Sequence, residues 1–186
     1  MTRFEEALEF VLKWETAGDP EGAYHNNPKD PGGETKWGIA RNSYADISIR
    51  DLTRDDAAEI YHKDFWQFGR CHQMRWPLAV VHFDACVNLG NFKIFKGKRD
   101  YHYRANRVLQ RALGVTEDGL IGPVTLSKAY EADKTVSSIA AIAYRNLWYV
   151  QLAQGFPAVM GSFFGGWLNR TQSLQQIVLE ARKSKR

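Results

Sequence analysis

Between Trp14 and Ile39 the sequence stops following a helical pattern and fills with residues that bend a backbone: Trp-Glu-Thr-Ala-Gly-Asp-Pro-Glu-Gly-Ala-Tyr-His-Asn-Asn-Pro-Lys-Asp-Pro-Gly-Gly-Glu-Thr-Lys-Trp-Gly-Ile. Gly, Pro, Asn and Asp each favour turns for a separate backbone reason. Three acids (Glu15, Glu21, Asp30) and the hydroxyl of Thr35 therefore sit on or beside an irregular loop, not on a solvated helix face. Loops fixed by a scaffold are where chemically active groups concentrate.

The flanking segments read as helices. Thr2 and Glu5 match a capping box, and Phe4, Ala7, Leu8, Val11 and Leu12 recur at the spacing of one buried face. Glu15, three residues after Leu12, falls on or near that face, and Gly18 and Pro20 end the helix. Further helical patterns run from Thr53 to about Trp66, from Pro77 to Leu89 and from about Tyr101 to Leu113. Others start at Pro123, span 135–154 and cover about 158–182, the last with a possible interruption at Gly165-Gly166. Lys93, Lys96, Lys98 and Arg99 lie in a basic stretch over 91–100. It reads either as a solvated connector or as a contact to an anionic polymer. The expectation is a mainly α protein with a short irregular or β element near residues 20–40.

With 186 residues and 44% apolar content the chain can bury a core. Its net charge of +4 and pI near 9.1 fit an anionic polymer as partner, without choosing which. No nucleic-acid recognition motif accompanies the charge. No apolar run reaches the roughly 20 residues of a membrane span, and the N-terminus lacks a secretory signal pattern. Cys71 and Cys86 form neither a CxxC pair nor a disulfide framework, which suits synthesis in a reducing compartment. The five histidines show no zinc-ligand spacing, and Cys71-His72 with His82 is too weak a constellation to predict a metal. No cofactor and no metal are expected.

Acids in such a loop suit glycosidic cleavage. That reaction needs a protonated carboxyl near the leaving oxygen, and a second carboxylate to activate water or hold the developing cation. Burial against an aromatic suits the first role and solvation the second. Glu15, inward at a helix end beside Trp14, has the context of the acid. Asp30, in a polar turn with Asn26 and Asn27, has that of the partner, and Thr35 could position a water. Tyr24 and Trp37 flank the loop and are the better candidates among the aromatics for stacking on a sugar.

The string Tyr24-x-x-x-Pro28-x-Asp30-Pro-Gly-Gly-Glu-Thr35-Lys-x-Gly-Ile39, after Phe4-x-x-Ala-Leu8 and a helix-ending Glu, resembles glycoside hydrolase family 108, the N-acetylmuramidases of phages and bacteria. The resemblance implies a lysozyme-like fold. It also implies a motif Glu as general acid, with an Asp and a Thr downstream as its helpers. Counting along the helix puts that Glu on Glu15. Matching Glu-Gly-Ala-Tyr directly puts it on Glu21. A general acid must be held to within about half an ångström, which favours the packed helix end, so Glu15 is preferred and Glu21 is the rival. Asn106-Arg-Val-Leu-Gln-Arg-Ala-Leu-Gly-Val-x-x-Asp118-Gly-x-Ile-Gly-Pro-x-Thr-Leu126, with Arg145-x-x-x-Tyr149 and Gly166-Trp-Leu-Asn-Arg170, resembles the predicted peptidoglycan-binding region that follows the catalytic part in this family.

The expected organisation is a catalytic region over 1–75 and a helical, wall-binding-like region over 76–186, packed as one compact unit. The expected partner is bacterial peptidoglycan, with no nucleic acid, no stable membrane insertion and a monomeric state. The resemblance further suggests a phage endolysin, made in the host cytoplasm and released to the wall by a holin. The alternatives are a non-catalytic wall-binding or secretion-assisting protein and a lytic transglycosylase.

Overall fold

The computed structural model describes residues 1–26, 33–95 and 98–183. Its first helix, α1 (Arg3–Glu15), begins at a complete capping box. Thr2 accepts from the Glu5 amide and Glu5 bonds back to the Thr2 amide. Ala7, Leu8, Val11 and Leu12 form its buried face. Two short antiparallel strands follow, β1 (Thr35–Lys36) and β2 (Ile39–Ala40), with His25 bridged to Thr35. This is the small β element the turn-rich loop announces.

Helix α2 (Arg54–Tyr61) starts at a second capping box, Thr53 with Asp56. It widens into a π-turn over His62–Gln67 instead of running on as α-helix to Trp66. The wider turn buries Trp66 against Phe4 and Phe83. Helix α3 (Leu78–Asn88) is buried at nine consecutive residues, Leu78 to Cys86. A helix apolar all round must be surrounded, and α1, the helix α4 (Arg104–Leu113) and the helix α6 (Lys134–Gly155) pack on it.

Residues 92–101 differ from the expected basic loop. Their backbone pairs as a hairpin, β3 (Phe92–Phe95) with β4 (Lys98–Tyr101), and residues 96–97, including Lys96, lie outside the described residues. Phe92 supplies the anchor: it is buried against Phe65, Phe68 and Tyr101. Tyr103 then takes a left-handed conformation (φ 53°), so α4 starts at Arg104 rather than Tyr101.

Helix α5 (Pro123–Glu131) has its proline in the first turn, where the missing N–H costs nothing. Asp133 caps α6 (Lys134–Gly155) through the Thr135 and Val136 amides. Helix α7 (Pro157–Lys183) is unbroken through Gly165-Gly166. Each helical glycine costs about 1 kcal/mol relative to alanine, and packing of α7 along α6 outweighs that. The main core draws side chains from Ala7 through Val178, and a smaller one joins Ala85, Cys86, Leu89, Ala105 and Tyr149. The architecture is mainly α with two small β pairs, a lysozyme-like arrangement. Among the described residues, no helix is long and apolar enough to cross a membrane.

Candidate active site

Glu15 is the last residue of α1 and continues the face of Val11 and Leu12, so it points inward. It lines a cavity of about 350 Å³ together with Ser43, Tyr44, Tyr61, Phe65 and Phe92, and is the one carboxylate among the described residues that line it. Its side chain is 23% exposed. Arg170, from α7, donates from Nη1 to Glu15 Oε1 at 2.7 Å.

Behind that pair lies a buried charge network. Asp84 on α3 has no exposure and accepts from Arg170 Nε at 2.8 Å and from Arg145 Nη1 at 2.5 Å. Arg170 Nη2 is also 2.7 Å from Asp84 Oδ1, but off the hydrogen-bond axis. Arg145 in turn bonds Tyr149, and Tyr149 donates to Asn88. Burial raises the Asp84 carboxyl, and the Arg170 and Arg145 guanidiniums more than offset this, leaving it below the usual carboxylate range. Two arginines facing one aspartate concentrate positive charge in a dry place, beside the Glu15 carboxyl at the cavity wall.

Tyr61 closes the floor. Burial first, and then the Glu15 charge, push its phenol well above the ordinary range, so it stays a neutral donor to the Trp37 carbonyl at 3.0 Å. Gly38 lies against both groups. Its φ is +74°, and a Cβ there would stand 2.6 Å from the Tyr61 hydroxyl and 2.9 Å from Glu15 Cβ. Only glycine lets β2 come this close to the acid.

The other residues expected at the site are spread out. Glu21 is exposed on a turn organised by Asp19, whose carboxylate accepts from the Glu21 and Ala23 amides. Glu21 lines none of the cavities described here. Asp30 lies outside the described residues. Thr35 is half-buried in β1, paired with Ala40, which does line the Glu15 cavity. Tyr24 borders a different, polar cavity of about 400 Å³ and donates to Glu34 at 3.0 Å. Trp37 is in the core under Gly22, only 7% exposed, and presents no ring face to either cavity.

Sequence reasoning missed Asp84, Tyr61 and Tyr44 as site residues, and Gly38 stood out only as part of a motif string. A lone acid in the apolar run Leu-Ala-Val-Val-His-Phe-Asp was a usable signal, because a buried charge requires a partner. Arg145 and Arg170 stood out only as parts of motif strings. Among the described residues a metal-capable donor set also emerges. Cys71, His82 and Cys86 bring their ligand atoms within 4.8 Å of one another in the core, with Asn91 donating to Cys86 Sγ. His72, considered from sequence, is exposed instead. The trio is tightly packed: a Cβ on Gly69 would lie 2.7 Å from Cys86 Sγ.

Residues 8–90 match the family model Glycosyl hydrolase 108, and residues 104–172 match the family model Predicted Peptidoglycan domain. The first match extends past the division expected after residue 75. The structure of Brucella abortus SagA is similar to this chain, with a TM-score of 0.73 and 24% sequence identity over 95% of this chain and 94% of that one. At that identity the likeness speaks for the fold. No curated protein sequence matches the chain. The class is thus a glycosyl hydrolase that acts on peptidoglycan. The N-terminal part of the chain matches glycosyl hydrolase family 108, and a match to a predicted peptidoglycan domain follows it.

Proposed function

We propose that this protein is an N-acetylmuramidase, a lysozyme that hydrolyses the β-1,4 bond between N-acetylmuramic acid and N-acetylglucosamine, with Glu15 as general acid. The observation that carries the reading is Glu15 itself: a helix-end carboxyl on a cavity wall, clamped on one oxygen by Arg170. The clamp leaves the other oxygen to deliver a proton to the leaving group. Glu21, exposed on its turn, lines none of the cavities described above and is clamped by no side chain among the described residues. Asp30 and Thr35 act on the opposite face of the sugar, by directing water or stabilising the oxocarbenium-like state. A phage endolysin reaching the wall through a holin is the setting that the family resemblance suggests.

Mass spectrometry of digested murein tests the reaction. Reducing N-acetylmuramic acid ends are expected. Anhydro-muramic ends would reassign the protein as a lytic transglycosylase, and sacculi that bind it without releasing fragments would make it a wall-binding protein.

A further inference from the structure

A second cavity, of about 260 Å³, opens between α4 and α6, within the part that matches the peptidoglycan domain. Helix α4 lines it with Arg104, Arg107 and Arg111, at i, i+3 and i+7 on one face, and α6 faces them with Tyr144 and Trp148. Two guanidiniums lie over rings: Arg104 Cζ is 5.5 Å from the centre of Trp148, and Arg111 Cζ is 4.8 Å from that of Tyr144. Glu117 is the one carboxylate among the described lining residues, 3.8 Å from Arg111 Nε.

Three cations face one acid among the described lining residues, so the cavity carries positive charge that its own lining does not neutralise. Arg-Ala-Asn-Arg-Val-Leu-Gln-Arg-Ala-Leu contains no acid to offset its like charges. Each such pair costs a helix roughly 0.2–0.5 kcal/mol. Stacking on aromatics holds the guanidinium planes in fixed orientations, which prepares them for bidentate contact with an oxyanion. The cavity also adjoins the site. Gly90 lines the Glu15 cavity and His102 lines this one, and a Cβ on Gly90 would stand 3.4 Å from His102 Cε1.

We propose that this cavity binds an oxyanion carried by the wall polymer, a stem-peptide carboxylate or a wall-polymer phosphate, with the adjoining apolar or sugar part against Trp148. The proposal rests on the reading of the chain as acting on peptidoglycan. It adds a holding point beside the cleft, so that a strand cut at Glu15 is retained by its own charge.

The test is sedimentation of the full-length protein with purified sacculi, comparing wild type, Arg107→Gln/Arg111→Gln and Trp148→Ala, with thermal unfolding to verify folding. Arg107 and Arg111 are exposed, so the double variant keeps its core. Its affinity for sacculi should fall about tenfold, the scale of losing a charge-assisted hydrogen bond, and the remaining binding should depend less on salt. Sacculi stripped of wall phosphate polymers, and glycan strands freed of stem peptides, form the two further arms. Loss of wild-type binding with the peptides assigns the carboxylate, and loss with the polymer assigns the phosphate. Unchanged binding by the folded double variant overturns the proposal while leaving Glu15 chemistry untouched. Reduced binding alongside undiminished lysis by Glu15→Gln would instead fault the catalytic assignment alone.

Discussion

Arg170 reaches back 155 residues to Glu15, placing Nη1 2.7 Å from Oε1, while the same guanidinium grips Asp84 behind it. One side chain thus ties the helix that ends in the acid to the central helix and to the long C-terminal one. The acid's position is set by a partner from the far end of the chain, so the two matched regions are mechanically one site.

Replacing Glu15 by Gln keeps the shape and the acceptor for Arg170 but removes the transferable proton. The variant should fold and lose lytic turnover by about 10²–10⁴-fold, the usual share of general acid catalysis. Glu21→Gln should lyse sacculi like the wild type. A turbidity assay on purified sacculi, run on both, discriminates between the two residues.

Arg170→Met should lose both stability and activity. It strands Asp84 with one partner and frees Glu15 to change rotamer. Removing one member of a buried ion pair costs roughly 3–5 kcal/mol. Urea unfolding should show that loss, whereas Arg170→Lys should recover part of it without restoring the two-sided grip.

Asp84 gives the fold an acid-sensitive element. Its folded pKa lies below the unfolded value of about 3.9, so the stability it contributes is fully present above that value. It is lost as pH falls through the lower, folded value. Asp84→Asn should be destabilised at neutral pH and show a shallower loss below pH of about 4, in thermal melts across that range.

Gly38 and Gly18 both have positive φ, but only Gly38 faces neighbours. Gly18→Ala should cost about 1 kcal/mol of backbone strain, with activity retained. Gly38→Ala adds contacts at 2.6 and 2.9 Å to Tyr61 and Glu15, so the wall must move. Its penalty should reach about 2–4 kcal/mol from strain and overpacking together, with activity falling further than stability predicts. Turnover measured well below the melting temperature separates the two effects.

Local rules carried the sequence reading a long way. The capping box at Thr2, the helix start at Thr53 and the proline at Pro123 mark helix ends because they satisfy or spare nearby backbone groups. The Asp118-Gly119 turn is local at its centre, where Asp118 accepts from the Leu120 amide, while Gln110 and Asn106 hold it from α4. The inward facing of Glu15 followed from its distance to Leu12. The hairpin at 92–101 did not, because its anchor is Phe92 against rings from another segment.

The amino-acid order alone therefore established a helical protein with an acid at the end of its first helix, since helix periodicity and capping act over a few residues. Tertiary structure alone decided what that acid touches. Charge pairing in a dry interior depends on which distant helices meet, and no spacing rule links Glu15 to Arg170, Asp84 to Arg145, or the α4 arginines to the rings of α6.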